Sequence, residues 1–456
     1  MKLLRIAFSL ALVSLIFTQC KKDVIEEQPE LKHGKLPDVV HSKMFTVTVE
    51  NVSTPYKFFD SGVAAVPSGE SEAGPALPGH SFTFSFHAGP GQKLSFATMY
   101  GWSNDGFYAP SGEGIDLYSG EIPVTGEITS QVMLWDAGTE ANQMPGSGNM
   151  HNGTNTHQNV QLMSDADNMY YYGMVSTNLS VNLEYNGGHM FTVTVDNLAG
   201  STTPISPVVW VVHTTSNPLF KAGMKDYGKG LENVAESGDA GPLSKYLAWN
   251  SGYVSPVAPV LWVIHDKDEM PIFTENTPDR GLGLELLAET GDPSLLFGAL
   301  MNDYNSGVSA VPDGAGSAGP LFPGDKYTFS FDAEPGQYLS IASMLGNSND
   351  EFFAFGDSGI KLAFGEATKN ITSKVILWDA GTEPNEYPGT KTSNEDVEGG
   401  DVRILNDGFP WPDASKVIKV TIRKNDVKNW KDDDGHGKNK GKNSKDDRNR
   451  GRNKFR

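Results

Sequence analysis

The stretch Val375-Ile376-Leu377-Trp378-Asp379-Ala380-Gly381-Thr382-Glu383-Pro384-Asn385 occurs twice, the earlier copy being Val132-Met133-Leu134-Trp135-Asp136-Ala137-Gly138-Thr139-Glu140-Ala141-Asn142. In each, a short apolar run leads into two carboxylates four residues apart, so a strand is predicted to run out into an acidic loop. The intervening glycine lets the backbone turn sharply and bring both carboxylates and a carbonyl oxygen to one point. Closely spaced oxygen ligands of this kind suit a hard cation. Either copy alone also reads as a tight turn capped by its Asp. Duplication at identical spacing favours the metal.

Walking back from each motif uncovers further shared blocks. Gly74-Pro75-Ala76-Leu77-Pro78-Gly79 matches Gly319-Pro320-Leu321-Phe322-Pro323-Gly324, and Phe82-Thr83-Phe84-Ser85-Phe86 matches Tyr327-Thr328-Phe329-Ser330-Phe331. The second block alternates with the period of a half-buried strand. Ser103-Asn104-Asp105 matches Ser348-Asn349-Asp350. The copies align almost without gaps, so the chain carries an internal repeat. A further pair lies between them. Pro207-Val208-Val209-Trp210-Val211-Val212-His213 matches Pro259-Val260-Leu261-Trp262-Val263-Ile264-His265. After these come Ala235-Glu236-Ser237-Gly238-Asp239 and Ala288-Glu289-Thr290-Gly291-Asp292.

Taken in order, the Pro-Val-Leu-Trp strand, the Leu-Ala-Glu-x-Gly-Asp helix, the Ser-Asn-Asp segment and the Asp-Ala-Gly-Thr-Glu-x-Asn turn resemble the spondin amino-terminal domain, found in F-spondin and in many bacterial exported proteins. The resemblance is complete over roughly residues 256–424 and partial over 45–186. It implies an all-β chain of antiparallel β-sandwich modules with short helices and calcium held in the loops at one end. Carried over residue by residue, it implies Asp105, Asp136 and Glu140 as calcium ligands in the first module. In the second, it implies Asp350, Asp379 and Glu383. Carbonyls and water would complete a six- to eight-oxygen shell, and carboxylates without His or Cys point to calcium rather than zinc. Asn104, Asn142, Asn349 and Asn385 are read as supporting amides or loop hydrogen bonders.

With 456 residues, 50 of them glycine and 27 proline, two or three loop-rich β domains are expected. Residues 1–20 read as an export signal, with Lys2 and Arg5 ahead of an apolar Ile6-to-Phe17 segment too short for a final membrane anchor. Cys20, the only cysteine, looks like the lipidated terminus of a bacterial lipoprotein; a plain secretory signal is the alternative. One cysteine excludes an intrachain disulfide. Residues 21–42 read as a tether. Module 1 is expected over 43–186, lacking the Trp strand and Ala-Glu helix of its opening half. Module 2 is expected over 189–424, with that half present twice, at 206–253 and 258–309. The piece at 206–253 either packs back to complete module 1 or is an insertion held locally; the second parse is adopted.

The net charge is −20, yet Lys424 to Arg456 holds 12 Lys and Arg against six Asp, so a cationic low-complexity tail (425–456) follows a strongly acidic body. It reads as a solubilising tail rather than a nucleic-acid-binding one. A glycosidase couple is a poor match, because acids four apart on a turn suit one shared ion better than opposite faces of a sugar. His213 and His265 are expected to be core or strand-edge histidines, and Trp102 and Tyr100 are candidates for exposed stacking residues. The reading is a calcium-binding, lipid-anchored protein of the bacterial envelope or cell surface. It would be a non-enzymatic adhesion or binding module for an unidentified extracellular glycan or protein, without nucleic acid. The alternatives are a glycan-acting surface enzyme and a structural matrix component.

Overall fold

The structure, a computed structural model, describes residues 42–146, 154–166, 169–363, 365, 367–392 and 397–425. Cys20, the export signal, the tether up to His41 and the tail beyond Asn425 lie outside the described residues.

Alternation makes Lys43–Asn51 the first strand, β1: Phe45, Val47 and Val49 are buried while Thr46 and Thr48 look outward. There follow β2 (Asp60–Ala64), β3 (Ser81–His87), β4 (Lys93–Met99), β5 (Gly106–Pro110), β6 (Val132–Asp136), β7 (Gln161–Leu162), β8 (Leu179–Tyr185), β9 (Met190–Asn197) and β10 (Val208–His213). Helices α1 (Leu231–Ser237) and α2 (Gly241–Trp249) come next, then β11 (Val260–His265), α3 (Leu284–Thr290), α4 (Ser294–Leu300), β12 (Asn305–Ser309) and β13 (Lys326–Ala333). The last strands are β14 (Tyr338–Met344), β15 (Glu351–Ala354), β16 (Ile376–Asp379), β17 (Arg403–Ile404) and β18 (Ile418–Lys424).

Two pairs of antiparallel sheets result. The first pair is β3-β9-β8, extended by Gly126–Glu127, and β7-β6-β5-β4-β10-β2. The second is β13-β1-β18, extended by Lys369–Asn370, and β12-β11-β14-β15-β16-β17. They correspond strand for strand.

These pairings overturn the expected boundaries at 43–186 and 189–424. β1 lies between β13 and β18 in the second pair, whereas β9 lies between β3 and β8 in the first. The piece at 206–253 is not held as a local insertion beside its duplicate: β10 pairs with β2 and β4 and so completes the first pair. The first pair therefore occupies one continuous run inserted between β1 and β11 of the second. The ends of that run meet, since Lys57 N donates to Asn250 O at 2.9 Å and Phe58 bridges Ser251. The physical reason is that Phe-Thr-Val-Thr-Val-Glu-Asn and Phe-Thr-Val-Thr-Val-Asp-Asn are interchangeable strands. Asn51 donates to the carbonyls of Ser255 and Leu321, and Asn197 donates in the same way to Ala76 and Thr203.

One core lies between the paired sheets, with Phe82, Phe84, Phe191 and Val193 against Phe96, Tyr108, Val208 and Trp210. On the other face of the larger sheet, Phe107, Val209 and Val211 pack under Leu231, Val234, Leu243 and Leu247 of the helices. β10 reads as an unbroken apolar run because both of its faces are covered. The second pair repeats both cores. Trp210 stacks on Phe84 at 5.4 Å and Trp262 on Phe329 at 5.7 Å. Each indole is roofed by a glycine of the adjacent strand: a Cβ on Gly62 or Gly307 would stand 2.6 or 2.5 Å from the ring.

Candidate metal centres

Each acidic motif leaves the end of a core strand, β6 or β16, and its first Asp turns the chain back. Asp136 Oδ1 accepts from Gly138 N at 2.5 Å and Asp379 Oδ1 from Gly381 N at 2.6 Å. The glycine is required twice over. Its φ is +71° at Gly138 and +69° at Gly381, and a Cβ would collide with the backbone of Gln158 or Asp401 at 2.8 or 2.7 Å. The other Asp oxygen is held by the last residue of the motif, Asn142 Nδ2 to Asp136 Oδ2 at 2.5 Å and Asn385 Nδ2 to Asp379 Oδ2 at 3.1 Å. Asn142 and Asn385 thus hydrogen-bond within their own turns.

The Asp of Ser-Asn-Asp meets this turn from the neighbouring strand. Asp105 Oδ2 accepts from Thr139 N, Thr139 Oγ1 and Glu140 N at 2.7, 3.3 and 2.9 Å. Asp350 Oδ2 does the same with Thr382 N, Thr382 Oγ1 and Glu383 N at 2.7, 3.2 and 3.1 Å. Both residues are fully buried, and in both the remaining oxygen, Oδ1, has no hydrogen-bond partner. An unpartnered buried carboxylate oxygen is costly, because nothing replaces its hydration. Asn142 Oδ1, Asn349 Oδ1 and Asn385 Oδ1 are buried acceptors in the same state. Burial, then the charge of Asp136, pushes the Asp105 carboxyl up to about 7; burial and Asp379 push Asp350 up to about 6. Glu383 is raised to about 7 by burial and by Glu289.

The structure brings the predicted residues of each set together, and their donor chemistry fits a hard, oxygen-seeking cation. Among the described residues no three His, Cys, Asp or Glu side chains enclose a metal position by themselves. Amide and main-chain oxygens and water would have to complete any shell. Glu140 is positioned by Asn104 Nδ2 at 3.2 Å.

Several residues at these sites carried no assignment in the sequence reading. Glu236 and Glu289, quoted there only as helix residues, project from α1 and α3 to the hydroxyls of Thr139 and Thr382 and stand near Glu140 and Glu383. Their identical place, five residues after the helix start in both copies, was the available signal. Glu351, fully buried with neither carboxylate oxygen partnered, lies beside Asp350 and Asp379. Arg403 and Lys391 bring positive charge to the second site, from positions outside every shared motif.

His213 and His265 are core histidines, as expected. Each takes one ring nitrogen to a buried serine, Ser95 at 2.8 Å or Ser340 at 2.9 Å, and the other to a backbone carbonyl. Tyr100, expected to be exposed, is buried because it packs on Tyr108 and Tyr172; Trp102 is exposed. No helix of the described residues is long and apolar enough to cross a membrane. A scan against protein-family models finds no match for this chain, and a search of curated proteins finds none either.

Proposed function

We propose that this chain is a calcium-binding protein of the bacterial cell envelope, anchored through lipid on Cys20. In this reading two spondin-like β-sandwich modules serve adhesion or extracellular ligand binding rather than catalysis. The observation that carries the reading is the twin unpartnered oxygen, Asp105 Oδ1 and Asp350 Oδ1, each buried beside a second carboxylate. A divalent cation answers both charges at once where no hydrogen-bond donor does. Asp105, Asp136 and Glu140 would hold one ion and Asp350, Asp379 and Glu383 the other. The ion's contribution is to tie the Ser-Asn-Asp loop to the acidic turn and stiffen one end of each module. The export signal and the resemblance to spondin domains support the extracellular assignment.

Calorimetric titration of the mature chain with calcium tests this, with melting curves in chelator and in calcium. Binding abolished by Asp105→Asn with Asp350→Asn, together with a calcium-dependent rise in Tm, is expected. No heat and no thermal shift would overturn the calcium reading.

A further inference from the structure

Away from both acidic motifs, a cavity between the two sheet pairs holds a carboxylate without a counter-charge. Asp60 opens β2, in register with Val212 of β10. With Phe59, His87, Tyr253 and Tyr387 it lines a cavity of about 200 Å³. Gly389, on the loop that leaves the second acidic turn, closes one side; a Cβ there would touch Tyr253 at 3.5 Å and Phe59 at 3.6 Å, so both rings converge on it. Asp60 Oδ1 accepts from Ser61 N at 2.7 Å. Burial raises its carboxyl above the usual value against that bond, with no contribution from a positive charge among the described residues. The internal repeat supplies a comparison within the chain. On β12 the residue in register at the same place is Asn305, opposite Ile264, and it is exposed and donates to Asp332 O at 2.8 Å. Where the second pair has an amide bonded to its own sheet edge, the first has an acid set among aromatic rings.

We propose that the cavity at Asp60 binds a small organic ammonium ion, with the carboxylate taking its charge and the rings its methyl or methylene groups. A carboxylate drawn out of water needs a partner, and a neutral ligand would leave that cost unmet. A hard metal ion is a poor fit, because it wants six or more oxygen ligands and these walls are largely aromatic. An ammonium ion suits both kinds of wall. It pairs with the acid through a charge-assisted contact and lies against ring faces that attract cations. The cavity is also too small for a folded partner and stands at a junction of the kind where small-ligand sites occur. Phe59, Asp60 and His87 come from the inserted half and Tyr253 and Tyr387 from its host, so a bound ion would touch both.

Calorimetric titration of the mature full chain with tetramethylammonium and with N-acetyl-lysine amide tests this, with tert-butanol as the neutral counterpart of the first. One ammonium ion per chain should bind and tert-butanol should not. Asp60→Asn should weaken binding by on the order of ten- to a hundredfold, and Tyr387→Leu by a smaller factor. Asparagine already stands at the aligned position of the second pair, so Asp60→Asn introduces a side chain that this strand pairing carries. Should that variant fail to fold, the charged-against-neutral comparison on wild type carries the same test. Both ammonium probes binding supports the site and assigns it to lysine side chains as well as free amines; tetramethylammonium alone supports it and assigns it to quaternary amines. Equal binding of tert-butanol, binding unchanged in Asp60→Asn, or no binding of either ammonium probe would overturn the inference. None of these outcomes bears on the calcium reading.

Discussion

At the scale of single residues, Asp105 and Asp350 are built to be uncomfortable. One oxygen of each is satisfied by three donors, and the other faces a second acid without a partner. Their carboxyls, pushed up to about 7 and about 6 by burial and by Asp136 or Asp379, hold a proton in the folded chain where the unfolded chain has lost it. Below the unfolded value near 4 both states are protonated and nothing is lost; between about 4 and 7 the folded state binds more protons. Stability in chelator should therefore fall as pH rises through that window, by on the order of 3 to 4 kcal/mol for each of the two acids. Calcium should flatten the trend, since the ion replaces the proton. Denaturant midpoints at pH 4.5 and 7.5, with and without calcium, measure it. A chelated chain equally stable at both would show that the two acids are otherwise compensated.

At the scale of elements, the repeated Trp-over-Gly contact locks the strand pairs β2–β10 and β12–β11. Gly62→Ala or Gly307→Ala would force a methyl into the indole of Trp210 or Trp262, which is already stacked on a phenylalanine and has no free side to yield towards. Each substitution is expected to cost about 1–3 kcal/mol by urea unfolding. A loss below about 0.5 kcal/mol would mean that the edge strand shifts freely. Neither glycine is conspicuous in the sequence, whereas the alternating strands, the Trp strand, the glycine-stopped helix and the acidic turn were all legible. Their signals are local: a two-residue period, an apolar run between turns, a Gly held at positive φ. Strand partnership was not legible, since β1 and β9 are nearly the same heptapeptide and each buries three apolar side chains with one asparagine clamp. Of the site, the acid pair of each turn could be read from spacing, whereas Asp105 and Asp350 came only from the resemblance to spondin domains. Arg403 and Lys391 could be read from neither, because each reaches the site across strands or from a loop whose path no local rule predicts.

At the scale of the whole molecule, the segment that follows the second acidic turn reaches across to the first sheet pair. Glu386 Oε1 lies 3.1 Å from His189 Nε2, Tyr387 stacks on His87 at 3.7 Å, Gly389 O accepts from Gln92 Nε2 at 2.9 Å, and Thr390 packs so tightly on Gly89 that a Cβ there would stand 2.7 Å away. The second candidate metal site and the grip between the halves thus share one short stretch of chain. Burial alone would raise the Glu386 carboxyl, but the hydrogen bonds from His189 and Thr392 outweigh it and hold it below its usual value. The grip is therefore at full strength above the ordinary carboxylate range and is lost as pH falls through the lowered value. The inserted half is also joined to its host where the chain enters and leaves it, with Asn51 bonded to Ser255 and Lys57 to Asn250. Replacing residues 54–252 by a few glycines and serines should therefore leave the second sheet pair able to fold, because β1 already lies beside Ser255 and brings its full register with β13 and β18. The deleted chain should unfold cooperatively with near-native aromatic circular dichroism, at a Tm lowered by the loss of the contacts that Glu386, Tyr387, Gly389 and Thr390 make to His189, His87, Gln92 and Gly89. Glu386→Gln in the intact chain should lower the Tm in the same direction by a smaller amount. A deleted chain that is collapsed and non-cooperative would show instead that the two sheet pairs form one folding unit, held by that stretch rather than merely joined through it.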